Sequence, residues 1–174
     1  MIGIIIFELS MIALILGLWS YMKRKQCKNA TRKIIILFLG VLLFEIMSEP
    51  MWRNFKLNSW AYLYHDVSWI ITLGWVNIFL ASMLLIDNLF EKMPEKKKFW
   101  LYLLFITVIT TPIEVILLQT GIRGYDAVLT ATMRGIMIPF TQAPIEIVFV
   151  IPMMAALIIP FYKFVNRLFE QTTR

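Results

Sequence analysis

Six carboxylates lie within or at the edge of otherwise apolar stretches of this chain: Glu8, Glu45, Glu49, Asp66, Glu114 and Glu146. A charged side chain near the centre of a bilayer costs roughly 2.5–3.5 kcal/mol on insertion scales. Several on converging helices must therefore be paired, protonated or turned toward a cavity. A carboxyl group in an apolar pocket keeps its proton near neutral pH, because burial disfavours the anion, and can act as a general acid. The same groups in lipid also serve as proton or cation sites along a transport path, or as partners for cationic residues on another helix.

These residues need helices to position them. The chain has 174 residues, of which 60% are hydrophobic and only 16% charged, more apolar than a soluble domain. Windows of about 20 apolar residues, enough to cross a hydrocarbon core of roughly 30 Å, fall near 2–22, 34–52, 66–87, 99–119 and 144–164. The expectation is an all-α, polytopic integral membrane bundle of about five transmembrane helices in the cell membrane, forming one domain over 1–174. The first span has no positive charge before its apolar run and no small-residue cleavage pattern, so it reads as an anchor and not a cleaved signal.

Charge sets the expected orientation. The segment Lys23-Arg24-Lys25 through Lys28, Arg32 and Lys33 is basic without an acid, and Lys92, Lys96, Lys97 and Lys98 and the tail with Lys163, Arg167 and Arg174 fall on the same side of a five-span bundle. The N-terminus is then outside and the C-terminus cytoplasmic. The net charge of +6 is topological on this reading, and nucleic acid is not an expected partner. The segment from Gly121 to Gln142 is too short and too interrupted for a span. Its apolar part near 127–140, with Arg134, Gly135 and Pro139, suits an interfacial or re-entrant helix.

With a rise of about 1.5 Å per residue, Glu45 lies a little past the midplane and Glu49 one turn further out on the same helical face. Glu114 lies deep in the outer half, after a stripe of Thr107, Thr110 and Thr111 expected to face inward. Glu8, Asp66 and Glu146 fall near the outer surface, so all of these acids can meet at similar depth. Asp66 and Glu146 also suit the positive ends of their helices, and Glu8 suits a bilayer interface. Glu45 and Glu114, well inside apolar spans, are the acids for which function is the default reading.

Aromatics gather on the same side: Trp52, Trp60, Tyr62, Tyr64, Trp69, Trp75, Tyr125 and Phe140. Such belts anchor membrane proteins, while the deeper Trp69 and Trp75 are candidates to line a substrate pocket, where a ring face attracts a cation without competing for the proton. Arg53, Arg123 and Arg134 are the outer guanidinium groups, available to pair with a carboxylate, to hold an anionic group or simply to meet solvent. One histidine, His65, and one cysteine, Cys27, argue against a metal site, and no cofactor motif is present. Glu49 and Arg53 have the spacing found in intramembrane prenyl-protein proteases, but the paired second Glu and the further histidines of that class are missing.

Pro112-Ile113-Glu114-Val115 and Pro144-Ile145-Glu146-Ile147 echo one another, as an internal duplication would. The stretch from Gly121 to Asp126, followed by Pro144-Ile145-Glu146 and Ile147, resembles the small membrane-bound lycopene cyclase-type family of carotenoid biosynthesis, in which an aromatic-containing loop precedes a Pro-x-Glu-Glu motif that opens a helix. Ile147 stands where the family's second Glu would be. The resemblance implies proton-driven chemistry on an isoprenoid, with Glu146 as the residue carried over.

Combined with the acids, it gives an expected site of Glu45, Glu114 and Glu146 as acid and base, with Glu114 or Glu146 donating and Glu45 accepting. Trp69, Trp75, Glu49, Asp66 and Arg123 complete the substrate pocket, and the partner is a membrane lipid or isoprenoid. The alternatives are a proton- or cation-coupled transporter or channel and an accessory subunit of a membrane complex, with a homo-oligomer or a membrane-protein partner.

Overall fold

The structure, a computed structural model, describes residues 2–141 and 143–172. Arg174 of the basic tail and Gln142, the end of the interrupted segment, lie outside the described residues. The chain runs α1 (Ile2–Arg24), α2 (Ala30–Ser48), β1 (Trp52–Asn54), β2 (Tyr62–Tyr64), β3 (Val67–Ser68), α3 (Trp69–Leu89), α4 (Glu95–Gln119), β4 (Arg123–Tyr125), α5 (Ala127–Thr132) and α6 (Ile147–Thr172). Four of these, α1, α3, α4 and α6, are long and apolar enough to cross a membrane. In lipid the backbone must satisfy its own hydrogen bonds, which long apolar runs do as helices. The chain is a mostly helical membrane protein.

α3 is the centre. Two thirds of its apolar window is buried against 6% for α1, and it packs on α1, α2 and α4, while α6 closes the bundle against α2 and α4. The approach of α2 to α6 depends on Gly40, where a Cβ would come within 2.9 Å of the Phe161 ring. α2 carries three charged side chains, Arg32, Lys33 and Glu45, in its 19 residues.

Several expected boundaries move, each for a local reason. The second span, expected at 34–52, ends as a helix at Ser48 because Glu49–Met51 tightens into a 3-10 turn and the chain then extends as β1. The third, expected from 66, starts at Trp69: Val67 and Ser68 pair with β2, and the Ser68 side chain caps the helix by accepting from the Ile71 N–H. The fifth, expected at 144–164, begins at Ile147 and continues to Thr172. The interfacial helix expected near 127–140 shrinks to Ala127–Thr132. Met133 is extended, Gly135 takes φ +74°, and the chain folds back through a bridge between Met137 and Pro144. The echo between the two Pro-Ile-Glu segments has no structural counterpart, since Pro112 and Glu114 lie inside α4 whereas Pro144 and Glu146 precede α6.

The end of α4 is the turn that matters for the site. The Gly121 N–H donates to Leu118 O and the Ile122 N–H to Leu117 O, each at 3.0 Å, with Gly121 at φ +67°. This is a Schellman stop, which favours glycine at its left-handed position. It reverses the chain so that β4 pairs antiparallel with β1, with Trp52 opposite Tyr125, Arg53 opposite Gly124 and Asn54 opposite Arg123.

Candidate functional site

Three buried charged groups from three elements meet beneath this β1–β4 ribbon. Glu45 comes from the last turn of α2, Glu114 from the second half of α4 and Arg123 from β4, with side chains 6%, 5% and 4% exposed. Arg123 Nε lies 2.9 Å from Glu114 Oε1, although its N–H does not point along that contact, and Nη1 lies 3.9 Å from Glu45 Oε1. The guanidinium also stacks on Trp52, with Cζ 5.1 Å from the ring centroid. Thr72, one turn into α3, donates to Glu45 Oε2 at 2.8 Å, and the Tyr125 hydroxyl reaches Glu114 Oε1 at 3.5 Å. Burial pushes the Tyr125 phenol well above the usual tyrosine range, so this hydroxyl keeps its proton as a donor.

The cluster opens onto a cavity of about 380 Å³. Glu114, Arg123 and Tyr125 form its polar floor. Phe44, Trp75, Ile151, Met154 and Leu157 are among its apolar walls, and Glu146 lies on its rim. Glu114 and Trp75 also border a second cavity of about 130 Å³ between α1, α3 and α4, together with Thr110 and Asn77. Of the expected threonine stripe, Thr107 and Thr111 bond back to their own helix at Leu103 O and Thr107 O; only Thr110 is fully buried.

The remaining expected site residues separate into those near the cluster and those away from it. Glu49 and Asp66 share a small polar void with Glu45 and Arg123. Glu146 accepts from the Arg134 backbone N–H at 2.9 Å, and that bond holds its carboxyl below the usual range. Trp69 turns elsewhere: its indole donates to Trp60 O at 2.8 Å and its ring sits edge-on to Trp60, so it lines none of these spaces. Glu8 is fully buried and holds the loop before β2, accepting from the backbone and side-chain nitrogens of Asn58, each at 2.7 Å.

The three outer arginines also divide. Arg53 pairs with Asp126 at 2.7 Å on the surface, Arg134 is exposed, and Arg123 alone is inside. Thr72 and Asn54 were not visible as site residues in sequence. Thr72 carries one faint signal, a hydroxyl one turn past a helix start. Among the described residues no three His, Cys, Asp or Glu side chains converge as metal ligands. Comparison with protein-family models, curated proteins and solved structures gives no match.

Proposed function

We propose that this membrane protein carries out acid–base chemistry on an isoprenoid or similar apolar lipid held in the large cavity, with Glu114 as proton donor. The observation that carries the reading is the cavity itself, apolar along α6 and α2 and floored by a buried acid with its counter-charge. Two carboxylates against one guanidinium leave an excess negative charge that apolar surroundings penalise, so charge balance favours one proton on the Glu45–Glu114 pair. Protonation of a carbon–carbon double bond by Glu114 makes a carbocation beside the Trp75 ring. A second double bond closes on it, and loss of a proton to a carboxylate restores unsaturation. The net change is an isomerisation that consumes no other reactant.

Glu146 suits the accepting role better than Glu45. It is kept ionised by the Arg134 N–H and borders the cavity, whereas Glu45 sits behind Arg123 and acts as a positioning charge. The resemblance to lycopene cyclase-type enzymes joins this reading at Glu146. Mass spectrometry of apolar lipids from a polyprenoid-rich host tests it: a product made with the wild-type chain disappears with Glu114→Gln at matched levels. Identical lipid profiles overturn it.

In this reading α2 is a fifth crossing, the N-terminus is outside and the C-terminus is cytoplasmic. The support is that the basic residues of the α1–α2 and α3–α4 loops and of the end of α6 share one end of the bundle. A membrane-impermeant thiol reagent applied outside then reaches Tyr64→Cys and leaves Lys96→Cys unlabelled; the reverse pattern inverts the topology.

A further inference from the structure

The small void behind the cluster has a composition that the proposed lipid chemistry does not use. It measures about 10 Å³, room for one water, and is bordered by Glu45, Glu49, Trp52, Asn54, Asp66, Val67 and Arg123. Four of these residues present buried polar atoms without hydrogen-bond partners: Glu45 Oε1, Asn54 Oδ1, Trp52 Nε1, and Arg123 Nε and Nη1, of which Nε lies against Glu114. Apart from Nε, two are acceptors and two are N–H donors. A water molecule donates two hydrogen bonds and accepts two, so the set matches its full capacity.

Orphaned buried polar atoms each cost about 1–3 kcal/mol, and four on one void need a common explanation. The elements explain how they converge. β1 supplies Trp52 and Asn54, β4 supplies Arg123 opposite Asn54, and α2 supplies Glu45. Asn54 is itself fixed, because its Nδ2 donates to Asp66 O at 2.7 Å.

We infer that this void is a binding site for a single structural water, held by Glu45, Asn54, Trp52 and Arg123, through which Glu45 exchanges protons with the outer aqueous face. The far side of the void supports the second half of the statement. Glu49 and Asp66 border it from the surface, and Glu49 Oε1 lies 3.9 Å from Nδ1 of the exposed His65. A proton taken up at His65 or Glu49 is accepted by the water as its hydrogen bond from Trp52 lapses, and the water gives one of its own protons to Glu45 Oε1, so that it ends neutral; the reverse sequence returns the proton to the surface. Arg123 stays charged throughout and orients the water by donating to it.

The proton-exchange part rests on the reading of Glu45 and Glu114 as a pair that shares a proton; the water site does not. The test uses protein with ¹⁵N-labelled tryptophan in lipid nanodiscs, with the Trp52 indole signal identified by its loss in Trp52→Phe, which keeps a ring over Arg123. Magnetisation transfer from water to the Trp52 indole proton is expected in the wild type and lost in Asn54→Leu, which removes an acceptor and fills the void. A water-silent Trp52 indole in the wild type overturns the site, whether or not the leucine variant folds. In ¹³C-glutamate-labelled protein, the Glu45 carboxyl exchanges more slowly in Glu49→Gln than in the wild type. An unchanged rate removes the proposed route, and absence of any protonated carboxyl assigned to Glu45 or Glu114 removes both the relay and the shared-proton reading. Loss of the lipid product with an intact water contact, or the reverse, separates the two ideas.

Discussion

The two ends of the bundle each hold a group of acids and bases, and they are built on opposite terms. At the end where α3 passes into α4, Lys98 is buried but its partners are not: Asp87, 3.3 Å away, and Glu95, 3.9 Å away, are 48% and 59% exposed. Tyr102 donates to Asp87 at 2.5 Å, and Lys163 of α6 pairs with Glu95 and lies over the Tyr102 ring. Each carboxylate there keeps access to polar surroundings, and the group ties three helices together. At the other end Glu45, Glu114 and Arg123 are all buried, several of their atoms lack hydrogen bonds, and a cavity begins at Glu114. The difference separates a latch from a poised site: the latch balances two lysines against two carboxylates within reach of water, whereas the site holds two carboxylates and one guanidinium out of it.

That contrast breaks most sharply at Arg123. Arg123→Met leaves two buried carboxylates without a counter-charge, and removal of one partner from a buried set costs about 3–5 kcal/mol. Thermal unfolding in detergent should show a large loss, partly recovered in the Arg123→Met, Glu45→Gln double variant, which removes one of the stranded charges. If the double variant is no more stable than the single one, Glu45 and Arg123 are not coupled. Next in size is Gly121→Ala, which forces a side chain into a left-handed position and toward Lys56 Nζ at 2.8 Å. The cost is about 1–2 kcal/mol, and because this turn delivers Arg123, lipid turnover should fall more than that loss of stability explains. Retained turnover would show that the site tolerates a displaced β4.

At the latch, Lys163→Met should cost about 1 kcal/mol or less, since its partner Glu95 is largely exposed. A loss as large as that of Arg123→Met erases the distinction between the ends. The smallest effect is a pH dependence at the cavity rim. Glu146 has a carboxyl held below its ordinary 4.5 by the Arg134 N–H, so this tie is fully present above 4.5 and is lost as pH falls through the lowered value. The Arg134 amide resonance should shift in that acid range in the wild type and not in Glu146→Gln.

How much of this was legible beforehand differs by element. Helix arithmetic placed Glu45 and Glu114 at matching depth because both sit in long helices with a fixed rise per residue, and their neighbours along the chain set that geometry. Trp69 faces Trp60 because its direction depends on the ribbon of β2 and β3 that precedes it, and short strands leave little period to read. Arg123 looked like any outer arginine. Its burial comes from Gly121 reversing the chain and from pairing with Asn54, a partner from before α3, and no local pattern announces a contact between such distant segments. The 34–52 window overruns α2 for a related reason: Met51 and Trp52 are apolar, as a span requires, but they belong to the 3-10 turn and to β1.

The pairing of β1 with β4 also orders events during assembly. It joins residues 52–54 to 123–125, and the intervening chain contains all of α3 and α4. Closing a loop of that length costs entropy that only the finished contact repays. Both helices must therefore be inserted and side by side before Arg123 can settle between Glu45 and Glu114. Until then Glu45 and Glu114 lack their cation, so the step that completes the site also brings the bundle's interior its compensating charge.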